Sequence, residues 1–349
     1  MIEKLVIYPT LNCNLSCEYC HYKKRKSEIL SYFKFKKALK NFLKIAENPQ
    51  IIFLGGEPLL IQNNIFKFIS HIKKTDPDIP ITLFTNGTIM NEKIAEIIKN
   101  GKIKAVLSID GDRKTNDKSR AFKNKKISAH DTAINNFKKY DLISYTVANM
   151  VVTQKNINFL SSNISYLYEL GFRKIGWNID YSDDWEPTDI KKIKKELNEI
   201  FKRYLNLIKE KKELYEISNR YEIIDDIFKN KMKECSNIIL LPDGKFYLCD
   251  KIIGTDDQTL KRFDISDKTV EKRKLLFKRF KKLGYDSRHL FCQIGAYFFY
   301  NYVKKTDIDK KMKIILEIQK TISETLKKQF QILIKYNSFR RMHGIKNGK

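Results

Sequence analysis

Residues 13–20 read CNLSCEYC, directly after the apolar run KLVIYPTL of residues 4–11. Three of the chain's six cysteines sit in this octet, spaced CxxxCxxC, and the next one, Cys235, lies far downstream. Thiolates are soft ligands that suit zinc or iron–sulfur clusters. A structural zinc site closes with four ligands, whereas the local count here is three. His21 adjoins Cys20, but a residue next to a ligand rarely turns to the same metal. Three thiolates on a four-iron cubane leave one iron open, so the octet reads as a cluster loop that does chemistry.

Working outward, the loop is the first of several turns that follow short apolar runs. IIFLGGEP (51–58), ITLFTNG (81–87), AVLSIDG (105–111), YTVANMVVT (145–153) and KIGWNID (174–180) read as strands. Between them, segments such as 33–47, 64–74, 92–101, 128–140 and 157–171 carry apolar residues at helical spacing. A long charged helix is expected from about Pro187 to Lys211. Six strand–helix units in a row predict an α/β chain, a partial (β/α)6 TIM-like barrel with a parallel sheet. The strands are nearly continuous apolar runs, as expected when both faces are covered. Chemistry in such barrels sits at the C-terminal strand ends, and CNLSCEYC, GGEP, TNG and SIDG all fall there.

After about Tyr215 the pattern changes. CSNIILLPDGKFYLCDKIIG (235–254) reads as a hairpin turning at Pro242-Asp243-Gly244. Ile308, Met312, Ile315, Ile318, Ile322, Leu326, Phe330 and Leu333 recur at helical spacing, predicting a long C-terminal helix that packs on the barrel or on a neighbouring chain.

The 349 residues are 42% hydrophobic and 31% charged, the balance of a globular protein. No apolar run approaches the roughly 18 residues of a membrane span, and the N-terminus lacks the pattern of a signal peptide. A cytoplasmic location with reduced thiols is therefore expected. The net charge is +27. Its denser stretches are 112–126, 261–282 and the tail from Asn301. These read first as solvated faces, and second as surfaces that steer an acidic partner.

Taken together, CNLSCEYC, GGEP and SIDG in this order resemble the radical S-adenosylmethionine (radical SAM) enzymes, over about Leu5 to Asp180. The resemblance implies that Cys13, Cys17 and Cys20 hold a [4Fe-4S] cluster whose open iron chelates S-adenosylmethionine. One electron then cleaves that cofactor to methionine and a 5′-deoxyadenosyl radical, which takes hydrogen from the substrate. It also implies that Tyr19 lies near the adenine, and that Gly55, Gly56 and Glu57 meet the methionine amino end. Ser108 would contact the cofactor, and Arg120 would reach its carboxylate with a bidentate fork. Without the resemblance, Ser108 is a strand-end turn residue and Arg120 a solvated basic one.

SIDG followed by DKSR resembles the branch that modifies peptides and proteins, which includes anaerobic sulfatase-maturing enzymes. That branch carries a small α+β C-terminal auxiliary-cluster domain, SPASM in full and Twitch when shorter. The implied organisation is a radical SAM core over 1–214, a SPASM/Twitch-like domain over 215–300 and a helical extension over 301–349. Cys235, Cys249 and Cys292 would serve one auxiliary cluster, with a fourth site open, filled by substrate or taken by a group such as His289. They also read as buried inert cysteines, or as a thiol that donates hydrogen to a substrate radical in an epimerase. Asp250 matches a proton acceptor of the sulfatase-maturing relatives.

The function expected is hydrogen abstraction from a residue of a ribosomally made peptide or protein, giving a crosslink, an oxidation or an epimerised centre. The first strand begins within the first residues, so leader binding is expected from the C-terminal region, basic surfaces or a separate protein. The partners expected are a peptide or protein substrate of acidic character and an electron donor such as flavodoxin or ferredoxin, with no membrane. Two readings rank below it. One takes RNA as substrate, using the basic excess with Phe263, Phe277 and Phe280 as stacking residues; the other is a non-enzymatic metal-binding adaptor.

Overall fold

The computed structural model describes residues 2–20, 22, 28–124, 126–217, 235–282, 284, 295, 300, 302, 308–343 and 345. The six expected strands are β1 (Lys4–Ile7), β2 (Gln50–Phe53), β3 (Ile81–Thr85), β4 (Lys104–Ser108), β5 (Thr146–Val152) and β6 (Lys174–Ile179). They lie side by side in chain order and pair in parallel. Helices α1 (Tyr32–Leu43), α2 (Gln62–Thr75), α3 (Glu92–Lys99), α4 (Arg113–Ser119), α5 (Ala129–Lys139), α6 (Leu160–Glu169) and α7 (Pro187–Lys209) fill the crossovers. Local chemistry sets their starts. Ser31, Asn91, Asp112 and Ser128 each accept a backbone N–H of the first turn as N-caps.

The sheet is open and wider than six strands. Beyond β6 runs the short β7 (Glu216–Ile217), and beyond β1 run β8 (Asn237–Leu240) and β9 (Phe246–Tyr247). β8 pairs in parallel with β1, Leu5 opposite Ile238 and Ile7 opposite Leu240. The expected hairpin is present as the antiparallel β8–β9 pair, and it continues the main sheet instead of standing apart from it.

Alternation along β1 divides the interior, because successive strand residues face opposite sides. Leu5 and Ile7, with Ile238 and Leu240 of β8, join the large core beneath α1 and α2, where Phe35, Phe42, Phe53 and Phe68 are fully buried. The rings of Phe35 and Phe68 stack at 4.3 Å. Burying such a side chain contributes about 1.5–3 kcal/mol. Val6 and Tyr8, with Ile239 and Leu241, face a second core that includes Leu248, Phe263, Phe277 and Phe280. Phe263, Phe277 and Phe280 are at most 8% exposed. The lower-ranked reading of them as a base-stacking face does not hold; like most aromatics at helical spacing they are core, and they close the second core.

The C-terminal helix spans Ile308–Leu333 and buries Met312, Ile315, Ile318, Ile322, Leu326, Phe330 and Leu333. It packs along α7, where Gln329 Nε2 donates to the Leu197 carbonyl at 3.2 Å and to Asn198 Oδ1 at 3.1 Å. The expected packing on the barrel is present. Among the described residues, no helix is long and apolar enough to cross a membrane.

Candidate active site

The C-terminal ends of the strands surround one cavity of about 550 Å³. Its wall includes Cys13, Cys17, Tyr19, Cys20, Gly55, Gly56, Glu57, Ser108 and Arg120, and also Cys235, Cys249 and Asp250. The sequence placed these residues in separate stretches, and the fold brings them to one space. Cys292, His289 and His21 lie outside the described residues.

The loop after β1 is held from two sides. On one side the GGEP turn packs backbone against backbone: Gly56 N–H donates to Thr10 O at 3.1 Å and Glu57 N–H to Asn12 O at 2.8 Å. A Cβ on Gly56 would stand 1.9 Å from the Asn12 oxygen, so only glycine fits. Sequence reading gave these glycines a role toward a bound ammonium; their packing against residues 10–12 is a second, independent requirement. On the other side, residues 119–123 run along the outside of the loop. Ser16 N–H donates to Ala121 O at 2.8 Å, Glu18 N–H donates to Ser119 O at 2.9 Å, and Leu15 bridges Phe122.

Glu57 does not use its side chain on the cavity. Its buried carboxylate accepts from Leu59 N–H (3.0 Å), Thr85 Oγ1 (2.8 Å) and Asn86 N–H (2.7 Å), tying the GGEP turn to the TNG turn. Burial pushes this carboxyl up to about 7, against the lowering effect of those donors. Asn86 in turn reaches Asn14 Oδ1 at 2.9 Å and lies 3.8 Å from Cys13 Sγ, while Leu15 N–H points at the same sulfur at 3.4 Å. Where such a sulfur binds a cluster, donors aimed at it are one means of tuning that cluster.

Asp110 of SIDG was missed by sequence reading. It is 1% exposed and accepts three groups: Tyr19 Oη at 2.8 Å, Val151 N–H at 2.9 Å and, as an ion pair, Arg120 Nε at 3.0 Å. The Arg120 guanidinium also lies over the Tyr19 ring, 5.2 Å from its centroid. Burial alone would lower the Arg120 pKa; Asp110 beside it reverses this, and the net shift is upward. Arg120 is also among the residues lining the cavity. Burial pushes the Cys17 thiol up to about 12, partly offset by Arg120.

Across the cavity, Asp250 accepts from Tyr8 Oη at 3.1 Å, and Tyr8 Oη lies 2.9 Å from Tyr22 Oη. Cys249 Sγ is 3.7 Å from the other Asp250 oxygen. Cys235 is held through its backbone by the buried Arg273, which donates to its carbonyl. Cys235 precedes β8, and Cys249 and Asp250 follow β9. The parallel pairing of β8 with β1 sets Asn237 opposite Lys4, so Cys235 stands toward the start of β1, and all three residues line the same cavity as the N-terminal loop.

Among the described residues, no three His, Cys, Asp or Glu side chains converge on a single-ion position. Cys13, Cys17 and Cys20 line one wall of the cavity. This all-sulfur donor set suits a multi-iron cluster better than a single hard cation.

Residues 7–157 match the family model of the radical SAM superfamily. The chain is 30% identical over 300 residues to an uncharacterized protein of Methanocaldococcus jannaschii, covering 80% of this chain and 99% of that one. It therefore belongs to the radical SAM superfamily, whose enzymes use a [4Fe-4S] cluster and S-adenosylmethionine. It is also 30% identical over 185 residues to a cysteine-type anaerobic sulfatase-maturating enzyme of Clostridium novyi, of whose length it spans 48%. A GTP 3′,8-cyclase of Aquifex aeolicus is 23% identical over 71% of this chain and 82% of that protein. Among solved structures, native anSMEcpe, an anaerobic sulfatase-maturating enzyme, with bound AdoMet and Cp18Cys peptide shares the fold. The TM-score is 0.68 at 19% identity, over 95% of this chain and 100% of that one.

Proposed function

We propose that this radical SAM enzyme is a maturase that abstracts a hydrogen atom from a residue of a peptide or protein, ending in a crosslink, an oxidation or an epimerised centre. The observation that carries this reading is the single cavity joining Cys13, Cys17, Cys20 and Arg120 to Asp250, Cys235 and Cys249. A site with the cluster thiols on one wall and a carboxylate with thiols on another has room for both a cofactor and an incoming side chain. The bound solved structure holds a peptide, which fits the same arrangement.

When bound, the cluster and S-adenosylmethionine supply one-electron cleavage and a primary carbon radical. Cys13, Cys17 and Cys20 would hold the cluster. Arg120, fixed by Asp110 and Tyr19, would take the cofactor carboxylate on its other nitrogens. Gly55, Gly56 and the Glu57 backbone would meet the ammonium, and Ser108 and Tyr19 would line the nucleoside end. Asp250, oriented by Tyr8, would accept a proton from the substrate residue. Cys235 and Cys249, with Cys292, would bind a second cluster that removes the remaining electron, or one of them would return a hydrogen atom.

The cyclase likeness favours a nucleotide as a second reading. A triphosphate calls for several clustered cations. Among the described cavity-lining residues the cations are Arg120, already paired with Asp110, and Lys251. The peptide reading therefore stands first.

The test compares anaerobically reconstituted wild type with a Cys13→Ala/Cys17→Ala/Cys20→Ala variant. Wild type is expected to cleave S-adenosylmethionine to 5′-deoxyadenosine and the variant to fail. The variant should keep about four irons on the later cysteines. Loss of all iron in the variant would remove the second cluster, and absence of cleavage in wild type would remove the reading itself.

A further inference from the structure

The basic stretch 112–126 stood out in the sequence, and apart from Arg120 its cations have no part in the site just described. The structure gives it a position. Residues 119–123, from the end of α4 onward, are the segment against which the cysteine loop is pinned, through Ser16 N–H to Ala121 O, Glu18 N–H to Ser119 O and the Leu15–Phe122 bridge. Lys118 and Lys123 stand at the two ends of that paired stretch, and Lys126 follows in the next turn; all three are exposed. Among the described residues, no carboxylate pairs with any of the three. Next to them Ile127 is 60% exposed, a large apolar side chain inside a basic surface.

We propose that Lys118, Lys123, Lys126 and Ile127 form the docking surface for an acidic one-electron carrier protein. This rests on the radical SAM reading, because only a cluster in the Cys13–Cys20 loop needs an electron delivered there. Three features of the surface favour such a partner. The path inward is short: Ser119 and Ala121 each make one hydrogen bond to a residue directly bonded to Cys17, namely Glu18 and Ser16. The three lysines face solvent, and the carboxylates beside them, Glu18 and Asp117, are ion-paired with Lys155 and Arg113; the remaining positive excess steers a partner of opposite sign without holding it tightly. A few exposed lysines with one exposed apolar residue directly following Lys126 suit the limited interfaces of transient electron-transfer pairs. In the step itself the carrier loses one electron and the cluster gains it; no atom is transferred.

The test uses reconstituted holoenzyme and follows cluster reduction by stopped-flow absorbance and electron paramagnetic resonance. The reductants are photoreduced flavodoxin, an acidic carrier, and dithionite, a small molecule that needs no docking surface. The variant is Lys118→Glu/Lys123→Glu/Lys126→Glu. The control, with the same change of charge on the C-terminal helix, is Lys313→Glu/Lys320→Glu/Lys328→Glu. Reduction by flavodoxin at low salt is expected to fall about tenfold or more in the variant and to stay near wild type in the control. Reduction by dithionite should be equal in all three proteins. Raising the salt should slow flavodoxin in wild type and remove the difference. Equal flavodoxin rates in variant and wild type overturn the assignment. An unchanged flavodoxin rate with weakened uptake of an acidic peptide makes the surface a substrate site and overturns it too. If dithionite reduces no cluster in wild type, it is the radical SAM reading that fails.

Discussion

Asp110 offers the most direct way to challenge this account of the site. Its side chain is completely buried and Arg120's is 9% exposed, with 3.0 Å between the carboxylate and Nε. Replacing Asp110 with alanine leaves the guanidinium buried without its counter-ion, a loss of about 3–5 kcal/mol. The Tyr19 hydroxyl and the Val151 N–H lose their acceptor as well. Removing the charge too, in Asp110→Ala/Arg120→Leu, should recover part of this, because the orphaned cation is the largest component. The assay is urea unfolding of the metal-free chain under reducing conditions. The only two tryptophans, Trp177 and Trp185, are both core residues at 2% and 1% exposure, so their fluorescence reports the core. The Asp110→Ala midpoint should drop by roughly 1–2 M, and the double variant should lie between it and wild type. A single-variant loss below about 1 kcal/mol, or purely additive effects, would refute the view that Asp110 holds Arg120 in place.

Three further expectations follow from the same geometry. The Glu57 carboxyl is raised to about 7, so the folded chain holds this proton where the unfolded chain has released it. Its contribution is full below about pH 4.5 and is lost as pH rises through about 7, a fall on the order of 3 kcal/mol. Glu57→Gln should flatten that part of the stability profile, and parallel pH profiles for the two proteins would contradict the assignment. Gly56→Ala should cost about 1–3 kcal/mol by forcing the turn off the Asn12 carbonyl, and iron content after reconstitution should fall with it; full iron loading would show that the contact yields easily. Asp250→Asn should still cleave S-adenosylmethionine but lower product formation by about 10²–10⁴-fold, as read by peptide mass and deuterium exchange; unchanged product would exclude Asp250 as the proton acceptor.

The parts of the site that could be read from sequence were those written in contiguous residues. CxxxCxxC, GGEP and SIDG each carry their spacing within a few positions, and strand–helix alternation placed them on one rim. Asp110 sits inside a motif that was singled out, yet its partners are Tyr19, 91 residues before it, and Val151, 41 residues after it. Nothing local distinguishes an aspartate that collects such partners from one in a turn. Glu57 is the same case: its side chain is spent on Thr85 and Asn86. The hairpin was legible from Pro-Asp-Gly between two apolar runs. Its place beside β1 was not, since four apolar residues satisfy a separate hairpin equally well. The aromatics of 263–280 were ranked low as a stacking option because helical spacing more often marks a core face, and Phe263, Phe277 and Phe280 are core.

The parallel pairing of β8 with β1 has a consequence for how the protein is made. β2 follows β1 by some fifty residues and can cover one of its edges early in synthesis. The other edge waits for residues 237–240, two-thirds of the chain later. During that interval Leu5 and Ile7 stand on an unpaired, strongly apolar strand, the kind of edge that recruits other chains. The loop that follows this strand carries the three thiols. Nascent chains stalled or truncated before residue 235 should therefore associate through the same strand that later carries the cluster loop, and late synthesis, rather than the barrel alone, closes the window for that error.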